Sequence, residues 1–173
     1  MSAVYIVTGA MASGKSTVAQ ALSERFERSV HLRGDIFRKM IVHGAAQMGP
    51  DLDADARAQL SLRQDIAVAA VRLYAQAGFT VVYQDILVGD DLERVAASLR
   101  ELAPRVVMLA PSPAILAERD AARHKQGYGP GFSPEVLATA IDATPDDLGL
   151  KLDTSHMSAQ ETVDAIIEHW DGH

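Results

Sequence analysis

Nine residues near the amino end constrain this chain more than any others. Gly9, Ala10, Met11, Ala12, Ser13, Gly14, Lys15, Ser16 and Thr17 follow the pattern G-x-x-x-x-G-K-[ST]. Its glycines let the backbone curl so that successive N–H groups point inward at phosphate oxygens. Lys15 brings a cation to the terminal phosphates, and the Ser16 hydroxyl suits a magnesium ion. Such a loop works only between a strand and a helix. Val4-Tyr5-Ile6-Val7 is a short, largely β-branched apolar run, as a buried parallel strand requires. Ser16 to Phe26 predicts a helix with Val18, Ala19, Leu22 and Phe26 on one face. Its amino end adds a positive dipole to the same anion site.

The 173 residues suit one compact domain, and with 48% of them hydrophobic a core is available. No run of 18 apolar residues occurs, so no membrane span is expected. The first strand starts close to Met1 with no secretion leader before it, which predicts a cytoplasmic protein. The chain has no cysteine, so disulfides, thiolate metal sites and cysteine nucleophiles are excluded. Net charge is −7, split into +3 over residues 1–50 and −10 over the rest. The phosphate loop lies in the basic part. The overall acidity argues against binding along an extended nucleic-acid backbone, but it leaves room for a small anion or a short nucleic-acid end.

Strand-like and helix-like runs alternate, which predicts an α/β domain with a mainly parallel sheet. Further strands are expected at 29–33, 80–84, 105–110 and 150–152. Helices are expected at 35–43, 53–77, 91–102, 114–125 and 158–170, with another starting at Ser133-Pro134. The long second helix is expected to bury Leu62, Ile66, Ala69, Leu73 and Ala77. The next helix is expected to bury Leu92, Val95, Ala96 and Leu99. Gly127 to Gly131 reads as a lid hinge or a linker.

Asp35 follows the second strand, on the sheet edge where ligands of open α/β folds collect. A carboxylate there can take a hydroxyl proton while that oxygen attacks a terminal phosphate; it can also simply cap the helix. Arg38, one turn later, can orient an acceptor or face solvent; Arg33 is a second candidate for that task. Asp85 ends the third strand, where an acid holds magnesium or merely closes a turn. Arg119 and Arg123 share one helix face near Lys125. They can close over the phosphates or pair with Glu118 and Asp120. Asp153-Thr154-Ser155 can flank a base or form a plain turn, and Tyr128 can pack on a substrate ring or anchor its loop. No zinc spacing occurs among the six histidines.

Taken together, the loop Gly9–Thr17, Asp35 with Arg38, Asp85 and the Arg119/Arg123 helix resemble the small P-loop kinases. The likeness is strongest to the chloramphenicol phosphotransferase-like and zeta-toxin-like group, over nearly the whole chain. The resemblance implies a three-layer α/β fold: a five-stranded parallel sheet in the order 2-3-1-4-5, helices on both faces and a helical lid near 117–132. It implies one kinase domain over 1–173 that uses ATP and Mg²⁺ to phosphorylate a hydroxyl of a small molecule. Lys15, Asp35, Arg119 and Arg123 would be catalytic, with Asp35 the base. Gly9 to Thr17 and Arg119 would bind nucleotide, Asp35 and Arg38 the acceptor, and Ser16 and Asp85 the metal. Asp35-Ile36-Phe37-Arg38 also resembles the Asp-x-x-Arg of polynucleotide 5′-hydroxyl kinases. The full substrate-arginine set of nucleoside monophosphate kinases is missing. A non-catalytic nucleotide switch is a third alternative, although neither an Asn-Lys-x-Asp guanine signature nor a clear switch threonine is present.

Overall fold

The computed structural model describes residues 2–49, 51–123, 127–128 and 133–171. Five strands, β1 (Val4–Gly9), β2 (Ser29–Arg33), β3 (Thr80–Gln84), β4 (Arg105–Leu109) and β5 (Leu150–Leu152), form one sheet. All pairings are parallel, in the order β2-β3-β1-β4-β5 implied by the resemblance. Parallel neighbours need long crossovers, and helices supply them. These are α1 (Lys15–Ser23), α2 (Asp35–Lys39), α3 (Ala54–Gln76), α4 (Asp90–Ser98), α5 (Pro113–Ala121), α6 (Pro134–Asp142) and α7 (Ala159–Asp171).

Burial on both faces explains why the strands read as continuous apolar runs. Along β1, Val4 and Ile6 point to one face, where they join Ala67, Val68 and Val71 of α3, Leu92 and Val95 of α4, and Ile141 of α6. Tyr5 and Val7 point to the other face, against Val18, Ala19 and Leu22 of α1 and Val163 and Ile166 of α7. The result is three layers, with β1 in the middle of the sheet. The turns after β1, β2 and β3 therefore open at the same sheet edge. They carry the phosphate loop, Asp35 and Asp85.

Several expected boundaries move. The first helix ends at Ser23, although Phe26 still packs on the core beside it. α2 stops at Lys39 rather than near His43. Arg38 donates to the Ala46 carbonyl at 3.2 Å, and Gln59 of α3 bonds both Ala46 N–H and the Gly44 carbonyl. Those bonds fold the 40s segment back over α3 in place of another helical turn. The 91–102 helix breaks at Leu99 into α4 and a 3₁₀ turn at Arg100–Leu102, with Leu92, Val95, Ala96 and Leu99 buried as expected. α5 ends at Ala121, while Lys125 and most of the Gly127–Gly131 segment lie outside the described residues.

The buried face of α3 is the main correction. Leu62 and Leu73 are 54% and 68% exposed, and Ile66 is exposed too. The inward face is Ala56, Gln64, Ala67, Val68 and Val71. Alanines and valines make up most of that face, and the bulkier Leu62 and Leu73 turn outward. Leu73→Asp should change stability by no more than about 0.5 kcal/mol. Val71→Asp should cost more than about 3 kcal/mol, because it buries an unpaired charge. Chemical denaturation of the two variants checks the phase, and equal losses would reverse it.

Candidate active site

The phosphate loop is held by close contacts that its sequence permits. Gly9 lies so near β4 that a Cβ there would stand 2.7 Å from the Leu109 carbonyl and from Ser13 Oγ. Ala12 and Gly14 both have positive φ, 61° and 91°. Gly14 adopts this region freely, whereas Ala12 does so at a cost of about 1–2 kcal/mol, held by the surrounding loop. Lys15 is buried and donates from Nζ to the Ala10 carbonyl at 2.6 Å. Burial pushes its pKa down to about 8; the nearby Asp85 and Asp35 pull it upward and Arg123 downward.

Asp85 sits 4% exposed at the end of β3. It accepts from Arg63 Nη2 and from the Ile86 amide, each at 2.8 Å, and from Tyr83 Oη at 3.3 Å. Burial raises its pKa, against the pull of Arg63, the Ile86 amide and Lys15. Gly34 must lack a side chain, since a Cβ there would overlap the Asp85 carboxylate. That contact sets the β2–α2 turn and so the position of Asp35. Asp35 lies in the first turn of α2, while Gly34 is the N-cap and no side chain caps it. Asp35 pairs with Lys39, and Arg33 Nε stands 3.6 Å from its Oδ1. Burial alone would raise its pKa, but Lys39, Arg33 and Arg63 together hold it below the usual carboxylate value.

These groups line one cleft of about 560 Å³ with Met11, Gly14, Lys15, Ser16 and Thr17. Arg119 of α5 and Arg123, two residues past its end, also line it, so Arg123 does not lie on the helix face expected for the pair. Arg119 bridges the Ser13 carbonyl at 3.5 Å and the Thr154 carbonyl at 3.0 Å. Arg123 is half-exposed and 3.6 Å from Asp120. Arg38 is not part of the lining; its guanidinium is engaged with the 40s segment instead. Beyond Arg119 lies a smaller cavity of about 170 Å³ among Gly14, Thr17, Val18, Thr154, Met157 and Thr162. Thr154 is buried there, and its hydroxyl has no partner among the described residues.

A family model described as an AAA domain matches residues 4–144. The chain belongs to that AAA-domain family. Its fold is that of the P-loop kinases. A sugar kinase from Janibacter sp. HTCC2649 superposes with a TM-score of 0.72 at 16% identity, covering 99% of this chain and 95% of that one. A Deinococcus radiodurans tunicamycin resistance protein gives 0.69 at 15% identity, covering 98% and 95%. The shikimate kinase of Bacteroides thetaiotaomicron gives 0.63 at 14%, covering 98% of each chain. No curated protein is significantly similar in sequence.

Within this AAA-domain chain, sequence reasoning missed Arg63 and Lys39. Arg63 is hidden by the α3 phase error. Once Ala56, Gln64, Ala67 and Val71 define the inner face, the polar members of that face stand out, and Arg63 is the one at the cleft end. Lys39 was readable as the i+4 partner of Asp35.

Asp120 does stand 3.6 Å from Arg123, as the pairing alternative expects, but it is not on a solvated face. It is buried and accepts from the Gly127 amide at 2.9 Å and from the Tyr128 amide at 3.3 Å. The Tyr128 hydroxyl then donates to the Met11 carbonyl at 2.6 Å, so Tyr128 anchors its loop to the phosphate loop. Asp120→Ala should cost about 1–3 kcal/mol and speed amide exchange at Gly127 and Tyr128. Hydrogen exchange that is unchanged at those two amides would refute the clasp.

Proposed function

We propose that this protein is an ATP-dependent phosphotransferase that moves the γ-phosphoryl group to a hydroxyl of a small molecule. One observation carries the reading: a buried phosphate-loop lysine and an ionised carboxylate from a different strand end face one cleft. The shared fold of the sugar kinase, the shikimate kinase and the tunicamycin resistance protein supports it. We take residues 1–173 as one kinase domain with a lid near 117–132, acting in the cytoplasm. Among the described residues no helix is long and apolar enough to cross a membrane.

The backbone amides of Gly9 to Thr17 and the amino end of α1 hold the phosphates. Lys15 neutralises the β- and γ-phosphates. The adenine base fits the smaller cavity, with Arg119 and Thr154 at its mouth. Asp35 stays ionised at neutral pH and accepts the acceptor hydroxyl's proton as that oxygen bonds the γ-phosphorus and the β–γ bridge breaks. A depressed pKa makes Asp35 a weak base, but a loose transition state demands little proton transfer before the bridge opens. Arg123 turns from Asp120 to the charge spread over the transferring group.

A magnesium ion suits the remaining donors. Ser16 and Asp85 offer hard oxygens on the cleft wall. Among the described residues no cluster of three His, Cys, Asp or Glu exists, so phosphate oxygens and water would complete the shell. Bound there, the ion would neutralise charge between the β- and γ-phosphates. The oligonucleotide alternative is weakened by Arg38, which is tied to Ala46 and stands outside the cleft lining.

Asp35→Asn should keep Mg·ATP affinity but lower kcat by roughly 10²–10⁴-fold. A variant that loses only melting temperature would make Asp35 structural. Lys15 gives a pH test. Free Lys15 loses its proton near pH 8, and a triphosphate favours its charged form. Above that pH, Mg·ATP binding should therefore take up protons, and affinity should fall by at most about tenfold per pH unit. Calorimetry in buffers of different ionisation heat measures the uptake; heats independent of buffer would contradict it.

A further inference from the structure

We infer that the acceptor is a compact anion, carrying a carboxylate or phosphate beside its reacting hydroxyl, and that Arg33, Lys39 and Arg63 hold that anionic group. This rests on the phosphotransferase reading and adds the acceptor's charge to it.

The cleft has two halves, set by sheet order. Arg119 and Thr154 belong to the β4–β5 side, next to the base-sized cavity. Arg33 ends β2, Lys39 lies on α2 and Arg63 on α3, all on the β2–β3 side. That half is left for the acceptor, and it also holds Asp35.

Three cations there face two carboxylates. Lys39 and Arg33 share Asp35, and Arg63 holds Asp85 at 2.8 Å. Phosphoryl transfer weakens both pairings. A metal held at Ser16 and Asp85 would compete with Arg63 for the Asp85 charge, and Asp35 becomes neutral when it takes the hydroxyl proton. Arg63 is only 14% exposed, and its buried Nε has no partner among the described residues. A cation so enclosed is strongly unfavourable when its counter-charge goes. An anionic group on the acceptor replaces the lost charge, and the planar arginine fork fits carboxylate and phosphate alike. General acidity does not explain the cluster: a chain of net charge −7 repels anions at long range, so an anionic acceptor needs these local cations. A cleft of about 560 Å³ that also admits the triphosphate end favours a compact acceptor.

The test uses matched hydroxyl compounds: glycerate against glycerol, glucuronate against glucose, and ribose 5-phosphate against ribose. ADP release and mass gain report transfer. Calorimetry on protein loaded with magnesium and a non-hydrolysable ATP analogue reports binding. Charged members should bind and react, with kcat/KM roughly 100-fold or more above their neutral partners. The carboxylate and phosphate arms show which anion is preferred. Arg33→Gln should raise KM for the charged acceptor by roughly tenfold or more with Mg·ATP affinity unchanged, and Arg63→Gln should raise that KM at least as much. Arg33 is half-exposed, so its variant keeps the test alive if Arg63→Gln fails to fold. Neutral members reacting as well as charged ones would overturn the inference and leave the phosphotransferase standing. Charged members that neither bind nor react would also overturn it, as would phosphate appearing only on an oligonucleotide end. Mg·ATP that does not bind at all would remove both readings.

Discussion

A carboxylate buried at the end of a strand cannot stand alone, because an unpaired charge in the interior is far too costly. Asp85 meets that demand by recruiting partners from separate parts of the chain. Arg63 comes from α3, the Ile86 amide and Tyr83 hydroxyl from its own neighbourhood, and Lys15 adds its charge from the phosphate loop. The same carboxylate excludes any side chain at position 34, which fixes the turn that carries Asp35. The geometry of the cleft therefore follows from keeping this one acid satisfied. The Thr8 hydroxyl secures the arrangement from behind by bonding both the amide and the carbonyl of Leu87, which ties the end of β1 to the loop after β3.

The second organising feature is the separation of duties across the sheet. β1 is central, so the phosphate loop has a strand-end loop on either side. On the β4–β5 side, Arg119 links the phosphate loop to the Thr154 carbonyl, and Asp120 clasps Gly127 and Tyr128 back onto Met11. On the β2–β3 side the contacts are ionic. On the proposed reading, nucleotide and acceptor would be recognised by different chemistry in one cleft, with the terminal phosphate between them. The clasp also shows how a residue near the amino end of the chain can hold a loop more than a hundred positions away. Tyr128 has its pKa raised to about 12, chiefly by burial, so its hydroxyl stays a donor throughout the neutral range.

The strands, the phosphate loop and the acids after β2 and β3 were legible because each depends on local pattern. Apolar β-branched runs mark buried parallel strands, and a glycine-lysine-serine loop has few other uses. The α3 phase was not legible. Its sequence places apolar residues at helical spacing on two faces, and Leu62 and Leu73 outweigh alanines on any hydrophobic scale. Which face turned inward depended on how the helix packs on the sheet, a property of two elements and not of one. Missing that phase also hid Arg63. Arg38 shows the opposite limit: its spacing from Asp35 allows a shared task or a solvent-facing side chain, but α2 ends early and the guanidinium bonds the Ala46 carbonyl.

By itself the sequence determined that this is an α/β chain with a phosphate-binding turn after its first strand, because periodicity and backbone permissiveness are written residue by residue. It also determined which acids stand at strand ends. Only the tertiary structure decided which cations answer those acids, and that Asp120 and Tyr128 serve a clasp. Electrostatic pairing depends on distances across the fold, between Arg63 and Asp85 or Tyr128 and Met11, and no local pattern encodes a distance between elements that meet only when the sheet has assembled.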